Sequence, residues 1–379
     1  MAAVNLLAEG VKGEFKEKSS QESEEAKTLK AAKKYMAIRD DDALNMFELP
    51  DQNWLQVLGR LDVDWDSIPH GNDLYAIRDW VQRCYLPISK TIHAKRVRPE
   101  VPVVVEDQRI VYDTDKSFLI RIYSPNRPSA AEVLRPALLM YHGGGFIHGN
   151  PSCDDDLSRF FASDLDVVVI SVDYSLAPEN KFPRPLDDCY EALNWVAGHA
   201  KEKGINSSKI GVWGCSAGAN LAAAVALKDS HLHSPSRILQ MSLVVPVTCA
   251  PEAYSGAIKT VFERRSALEP NQLVFARNIS AIFAFYAEGQ EFFNPLVSPL
   301  LSAVSPSHPP THITVAGRDS LREEGIAYAC KLRNSDVDVQ LDVLPGVPHG
   351  FTWATKSTCM SQFVRNQVRL FNVAFYTDF

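Results

Sequence analysis

The sequence predicts an α/β fold in which a mostly parallel sheet is covered by helices on both faces. From residue 136 onward, short apolar runs rich in β-branched residues alternate with helical segments. Alternation of this kind is typical of parallel strands joined by crossover helices. In addition, a glycine-flanked serine, Ser216, lies between one apolar run and an alanine-rich segment, which indicates a sharp strand-to-helix turn.

Composition is that of a globular protein. The 379 residues are 46% hydrophobic and 22% charged, with a formal net charge of -7. This length suits one large, elaborated domain or two ordinary domains. The negative charge argues against nucleic acid or an anionic membrane as a main partner. No apolar run approaches the roughly 18 residues of a membrane span.

Cysteine usage and the N-terminus both bear on the compartment. The seven cysteines are scattered along the chain and form no C-x-x-C pair. The first residues lack the long apolar stretch of a secretory signal. We therefore expect reduced thiols and a cytoplasmic location.

The first hundred residues differ from the rest of the chain. Residues 1–35 are dense in Lys, Glu and Ser, a composition that predicts a charged, partly disordered arm. Residues 36–100 contain two amphipathic helical segments, at 43–58 and 74–86, with large apolar side chains at helical spacing.

Strand and helix signals then follow in order. Strands are predicted at 101–105, 109–112 and 118–123, the last two as an antiparallel pair with a turn at 113–116, and then at 137–141, 167–172, 210–213, 238–245, 311–315 and 337–343. Helices are predicted at 157–162, 185–199, 217–228, 321–334 and 360–376. Residues 249–301, the excursion segment, interrupt the alternation and are mainly helical. An excursion at the carboxyl end of a strand is placed to roof a site.

The most informative motif is G-C-S-A-G, centred on Ser216. A serine at such a turn has a strained backbone, so very small residues are needed beside it, and Gly214 and Gly218 meet that need. The turn lifts the serine hydroxyl clear of the sheet and directs the N-terminus of the next helix at it. This placement suits a nucleophile whose product carries negative charge.

A second motif, H-G-G-G-F, begins at His142 directly after a predicted strand. Three successive glycines are costly in backbone entropy. Without side chains, however, their N–H groups can turn towards a single ligand atom. Gly143, Gly144 and Gly145, together with the N–H of Ala217, are therefore candidates for an oxyanion hole. We expect His142 to brace the loop rather than to titrate.

A base and an acid follow the last two predicted strands. His349 lies in P-G-V-P-H-G-F after the final strand, and Asp319 lies in A-G-R-D-S-L after the preceding one. Loops at strand ends are where a sheet enzyme presents its chemistry. Glu323 and Glu324 are rival candidates for the acid, but they lie one turn into the next helix. We therefore predict that Ser216, Asp319 and His349 form the catalytic group.

These motifs resemble those of the hormone-sensitive-lipase-like branch of the α/β-hydrolases, which includes bacterial family IV esterases and plant carboxylesterases. Further matching stretches are D-Y-S-L-A-P-E at 173–179, N-P at 294–295 and S-P-L at 298–300. The resemblance implies an α/β-hydrolase fold with an eight-stranded sheet over 101–379. It also implies a helical cap built from residues 36–100 and the excursion segment.

Two positions depart from the family pattern. The family usually has an acidic residue or Thr before the nucleophile and a second glycine after the turn, whereas this chain has Cys215 and Ala219. We interpret Cys215 as a packed thiol rather than an alternative nucleophile, because its side chain should point away from the base. The N-terminal region is also longer than in compact bacterial members, which bears on the size of the substrate.

The favoured function is hydrolysis of a small to medium, largely apolar carboxylic ester through an acyl-enzyme intermediate. No metal or organic cofactor is required, and no metal-ligand spacing appears in the sequence. One alternative is recruitment to a biosynthetic pathway, for lactone opening, release from a carrier or cyclisation. Another is a non-catalytic ligand receptor like the plant gibberellin receptors, which have lost the histidine present here as His349. A homodimer is a further expectation, since many relatives pair through sheet edges or caps.

Overall fold

The computed structural model describes residues 51, 73–80, 83, 101–127, 134–256, 259, 275–353 and 357–377. The arm predicted over 1–35 lies outside these residues, as does all but residue 51 of the helix predicted at 43–58. Of the second predicted N-terminal helix, the structure describes α1 (Leu74–Trp80). The Ala76 N–H donates to the side chain of Asp73 at 2.9 Å, which caps the first turn of α1.

The described strands form an eight-stranded sheet. In chain order they are β1 (Val103–Val111), β2 (Ser117–Pro125), β3 (Arg135–Tyr141), β4 (Val168–Asp173), β5 (Ile205–Cys215), β6 (Ile238–Val244), β7 (Thr311–Ala316) and β8 (Val339–Leu344). Their spatial order is β1-β2-β4-β3-β5-β6-β7-β8. Strand β2 is antiparallel to both of its neighbours, and all pairs from β4 to β8 are parallel. The predicted eight-stranded, mostly parallel sheet is confirmed.

The N-terminal edge of the sheet differs from the prediction in one respect. The strands predicted at 101–105 and 109–112 are parts of one continuous strand, β1, which pairs with β2 along its whole length. Glu106 and Asp107 are exposed, and an edge strand tolerates charged residues of this kind without losing its pairing. The predicted turn is present, since the Tyr112 N–H donates to the Lys116 carbonyl at 3.1 Å.

Six further α-helices are described. They are α2 (Asp155–Leu165), α3 (Arg184–His199), α4 (Ala217–Leu232), α5 (Phe275–Tyr286), α6 (Arg322–Arg333) and α7 (Thr358–Tyr376). Helices α2 and α7 cover one face of the sheet, whereas α3, α4 and α6 cover the other. Helix α5 belongs to the excursion segment. In the part of the chain that the structure describes, no helix has both the length and the apolar character needed to cross a bilayer.

Alternate residues of the central strands fill two hydrophobic cores. In β3, Leu139 and Tyr141 contribute to the core beneath α3, α4 and α6, whereas Leu138 and Met140 contribute to the core beneath α2 and α7. Successive side chains of a strand point to opposite faces, so an entirely apolar strand needs cover on both sides. Because β3 to β8 run parallel to one another, their carboxyl ends lie along one edge of the sheet.

The excursion segment leaves the sheet after β6 and returns before β7 through a closed neck. The Leu300 N–H donates to the Thr248 carbonyl at 2.9 Å. The Ala250 N–H donates to the Ser298 hydroxyl, also at 2.9 Å. The outgoing and returning parts of the chain are thus bonded to each other at their base.

Candidate active site

Ser216 occupies the turn between β5 and α4 with φ 54° and ψ -116°, a region that residues other than glycine rarely adopt. Its N–H donates to the Val244 carbonyl at 2.9 Å, and its own carbonyl accepts the Ala219 and Asn220 N–H groups at 3.0 and 3.1 Å. These bonds tie the strained turn to β6 and to the first turn of α4. Because Ala217 begins the helix, its N–H has no acceptor within the helix.

The glycines on either side of the serine have no room for a side chain. A Cβ at Gly214 would lie 2.3 Å from the Gly218 carbonyl oxygen, and a Cβ at Gly218 would lie 2.0 Å from the Tyr141 carbonyl oxygen. Both neighbours are backbone atoms, so no side-chain rotation can relieve the clash. The turn therefore needs glycine at both positions, for the steric reason inferred from the sequence.

The three side chains predicted to form the catalytic group lie together and are buried. His349 Nε2 is 2.8 Å from Ser216 Oγ, and His349 Nδ1 is 2.8 Å from Asp319 Oδ2. The second carboxylate oxygen of Asp319 accepts the Leu321 N–H at 2.9 Å, which fixes the plane of the carboxylate. With its proton on Nδ1, His349 donates to Asp319 and accepts from Ser216. That arrangement lets an imidazole take the proton of a hydroxyl while a carboxylate orients the ring.

The parallel sheet brings these residues together from distant parts of the chain. Ser216 follows β5, Asp319 follows β7 and His349 follows β8. The loops after β7 and β8 are also bonded to each other, since the Arg318 N–H donates to the Val347 carbonyl at 2.9 Å. Three strands of one sheet thus present their carboxyl ends at the same place.

The rival carboxylates have other partners. Glu324 accepts the Thr248 N–H at 2.6 Å and the hydroxyl of Tyr254, which links α6 to the excursion segment. Burial raises the pKa of Glu324 to about 8. Glu323 forms an ion pair with Arg322 at 2.7 Å. Among the three acidic candidates, Asp319 is the one whose carboxylate the structure places against the imidazole of His349.

The glycine-rich loop, residues 142–149, follows β3 and passes beside the serine. A Cβ at Gly143 would lie 3.2 Å from the Cys215 carbonyl oxygen and 3.6 Å from Ser216 Cβ. Gly144 and Gly145 have φ values of 132° and 60°, which suit glycine. This position suits the predicted oxyanion hole, whose individual donors stay a prediction.

Aromatic rings hold the glycine-rich loop on two sides. The His142 ring stacks on Tyr174 at 4.1 Å, and the Tyr174 hydroxyl donates to the His142 carbonyl at 2.7 Å. Burial lowers the pKa of His142 to about 4, so its imidazole is neutral at pH 7 and braces the loop as predicted. Phe146 stacks on Tyr286 of α5 at 3.9 Å, and its carbonyl accepts the Ala177 N–H at 2.9 Å.

Two polar residues near the site were not indicated by the motifs. Asn220 is fully buried in α4, and its Nδ2 donates to the carbonyls of Val247 and Val297, each at 2.9 Å. An amide within an alanine-rich helix is the sequence signal that could have indicated this role. Arg78 of α1 donates through Nε to the Ile147 carbonyl at 2.6 Å. A single arginine in an amphipathic helix carries no comparable signal.

The thiol of Cys215 packs against the core beneath α2 and α7. Burial raises the pKa of this thiol well above its ordinary value, so the thiol is protonated at pH 7. Within the ranges that the structure describes, no three His, Cys, Asp or Glu side chains are grouped as metal ligands would be. The expectation of an enzyme without metal or cofactor stays a prediction.

The chain is similar to known esterases over most of its length. Residues 138–353 match the model of a protein family with the alpha/beta hydrolase fold. Carboxylesterase NlhH of Mycobacterium tuberculosis is 31% identical over 255 residues, which cover 65% of this chain and 75% of that protein. The arylesterase of Saccharolobus solfataricus is 32% identical over 264 residues, which cover 69% of this chain and 81% of that protein. Among solved structures, a bacterial heroin esterase has a TM-score of 0.73 at 26% identity, covering 88% of this chain and all of its own.

Proposed function

The chain belongs to the α/β-hydrolases, in the hormone-sensitive-lipase-like branch, and on this premise we propose that it is a serine carboxylic-ester hydrolase. The observation that carries the proposal is the pair of 2.8 Å contacts that join Ser216 to His349 and His349 to Asp319. The esterase names of the relatives favour ester hydrolysis over the recruited biosynthetic reaction. The receptor alternative is disfavoured because the histidine is present and contacts the serine.

Acylation begins with attack of Ser216 Oγ on the carbonyl carbon of the ester. His349 Nε2 takes the hydroxyl proton, and Asp319 orients the ring and stabilises its cationic form. The protonated imidazole then gives the proton to the departing alcohol as the carbon–oxygen bond of the ester breaks. Water attacks the resulting acyl-enzyme by the same proton transfers and releases the acid.

The oxyanion formed in each half of the reaction is stabilised by backbone N–H groups. We assign this role to Gly144, Gly145 and Ala217, with Gly143 as a further donor. Donors that are fixed before the reaction stabilise developing charge without reorganisation. The support for this assignment is the close approach of the glycine-rich loop to the serine and the start of α4 at Ala217.

A small to medium, largely apolar ester is the proposed substrate class, on the strength of relatives named carboxylesterase and arylesterase. A panel of p-nitrophenyl esters of increasing acyl length tests this substrate class.

Ser216→Ala should lower kcat/KM about 10⁴- to 10⁶-fold, because triad members act as a unit. A fluorophosphonate should label the parent at this serine and leave the variant unlabelled. Near-parental turnover by Ser216→Ala would show that the nucleophile lies elsewhere.

Three broader expectations stay predictions. The division into an arm (1–35), a helical cap segment (36–100) and a core (101–379) is one, and a homodimer is another. The third is a cytoplasmic location. Five of the cysteines that the structure describes are free thiols, the state that a reducing compartment maintains; they are Cys189, Cys215, Cys249, Cys330 and Cys359.

A further inference from the structure

We propose that Arg78 is a positioning residue that holds the glycine-rich loop in the shape needed to stabilise the oxyanion. This inference rests on the proposed function. Arg78 lies 69 positions before Ile147 in the chain, yet its Nε donates to the Ile147 carbonyl at 2.6 Å. Its Nη1 pairs with Glu179 at 2.6 Å. One guanidinium therefore joins α1 both to the glycine-rich loop and to the segment after β4.

Three successive residues of the glycine-rich loop have positive φ. Gly144, Gly145 and Phe146 have φ values of 132°, 60° and 63°. Glycine adopts such a conformation freely, whereas Phe146 has a side chain and stays there only because its surroundings over-determine it. The Gly144 carbonyl accepts the N–H groups of Ile147 and His148 at 3.1 and 3.2 Å, which closes these residues into one turn.

Separate groups hold two successive residues of this turn. Phe146 is fixed by the ring of Tyr286 and by the hydrogen bond to its carbonyl. The carbonyl of the next residue, Ile147, is fixed by Arg78. The Ile147 carbonyl and the His148 N–H belong to one peptide plane, and this N–H donates to the Gly144 carbonyl at 3.2 Å. Rotation of the Ile147 carbonyl would therefore disturb a hydrogen bond that orients the glycine peptides. Arg78 thus constrains the donors without touching the substrate.

The geometry of the guanidinium explains why arginine suits this position. Its planar fork donates to the Ile147 carbonyl and to the Glu179 carboxylate at the same time. A lysine ammonium at the same place keeps the charge but not the fixed fork. The Glu179 side chain is 51% exposed, and an ion pair so open to water contributes little by itself. The bond to Ile147 is therefore the contact expected to matter for catalysis.

Three variants separate these contacts. Arg78→Gln removes the charge and the fork, and Arg78→Lys keeps the charge. Glu179→Gln is the matched control, since it removes the ion pair but leaves the donor to Ile147. We expect Arg78→Gln to lower kcat on p-nitrophenyl butyrate about 10- to 100-fold per active site, with KM within about 3-fold. Arg78→Lys should fall between Arg78→Gln and the parent, and Glu179→Gln should stay within about 2-fold of the parent.

A second readout reports on the oxyanion hole itself. In a thionoester, sulfur replaces the carbonyl oxygen and accepts hydrogen bonds weakly, so fixed N–H donors favour the ester. The ratio of kcat/KM for ester over thionoester should fall several-fold in Arg78→Gln and stay parental in Glu179→Gln. This ratio does not depend on how much of the protein is folded.

The outcomes keep this inference distinct from the proposed function. A parental ratio and kcat in Arg78→Gln, in an enzyme that Ser216→Ala inactivates, would overturn the positioning role and leave ester hydrolysis standing. Equal losses in Glu179→Gln and Arg78→Gln would also overturn it, since the ion pair would then be the contact that matters. Undiminished hydrolysis by Ser216→Ala would instead count against the proposed function.

Discussion

Glu324 is a buried carboxyl group that should make the stability of the protein depend on pH. It is 2% exposed, and burial raises its pKa from 4.5 to about 8. Between these two pH values the unfolded chain has released a proton that the folded protein still holds. The contribution of Glu324 to the free energy of unfolding is therefore largest below pH 4.5 and falls as the pH rises to about 8.

The size of the effect follows from the width of this interval. At about 1.4 kcal/mol per pH unit, the loss is at most about 5 kcal/mol, and relaxation around the charged group reduces it to roughly 3 kcal/mol. A chain of 379 residues has an unfolding entropy of about 0.8 kcal/mol/K near its midpoint. A change of 3–5 kcal/mol therefore corresponds to about 4–6 °C in Tm.

Thermal unfolding of Glu324→Gln tests this reasoning, because glutamine still accepts the Thr248 N–H but does not titrate. Between pH 5 and pH 8.5, which spans most of this interval, the Tm of the parent should fall by about 3–5 °C relative to that of the variant. Glu202→Gln, at an exposed position, is the control and should track the parent at every pH. A constant difference between the parent and Glu324→Gln over this range would refute the argument.

Two further substitutions test the turn around the nucleophile, and a third tests a glycine of α3. Gly218→Ala places a Cβ 2.0 Å from the Tyr141 carbonyl oxygen, so kcat/KM on p-nitrophenyl butyrate should fall at least about 10²-fold; parental turnover would contradict the steric argument. Gly198→Ala meets nothing within 4 Å and should raise the free energy of unfolding in urea by about 0.5–1 kcal/mol; a loss of stability would contradict this. Cys215→Ala should keep kcat within about 3-fold of the parent, since the thiol is packed and protonated. A loss as deep as that of Ser216→Ala would mean that the thiol takes part in the chemistry.

The sheet could be predicted because its parallel strands are apolar at consecutive positions. β3 and β4 carry consecutive apolar residues and therefore need cover on both faces. The sequence predicts two strands where the structure has the single strand β1, because Glu106 and Asp107 interrupt the apolar run. At an edge these charges face water, and only the position of a strand within the sheet decides whether a charge is tolerated.

The residue types of the candidate site could be predicted from the sequence. The contacts that hold the surrounding backbone in place could not. Ser216 and His349 stand beside glycines and prolines that mark strand-end turns, and such turns have a sequence signature. Arg78 and Asn220 act on backbone carbonyls, which every residue possesses. Contacts of that kind depend on where distant segments meet, so no pattern along the chain identifies the carbonyls that either side chain contacts.

The two ends of the excursion segment are bonded to each other at the closed neck, so the length of the segment does not set the geometry at its base. Thr248 is bonded to Leu300, and Asn220 holds both Val247 and Val297. For a flexible loop whose ends are fixed, each doubling of length adds only about 0.6 kcal/mol to the free energy of closure. Shorter or longer segments could therefore replace residues between these ties while the serine turn keeps its place, provided that Tyr286 still stacks on Phe146 of the glycine-rich loop. The neck makes this part of the chain a graft point at which substrate preference can be exchanged as long as that one contact is kept.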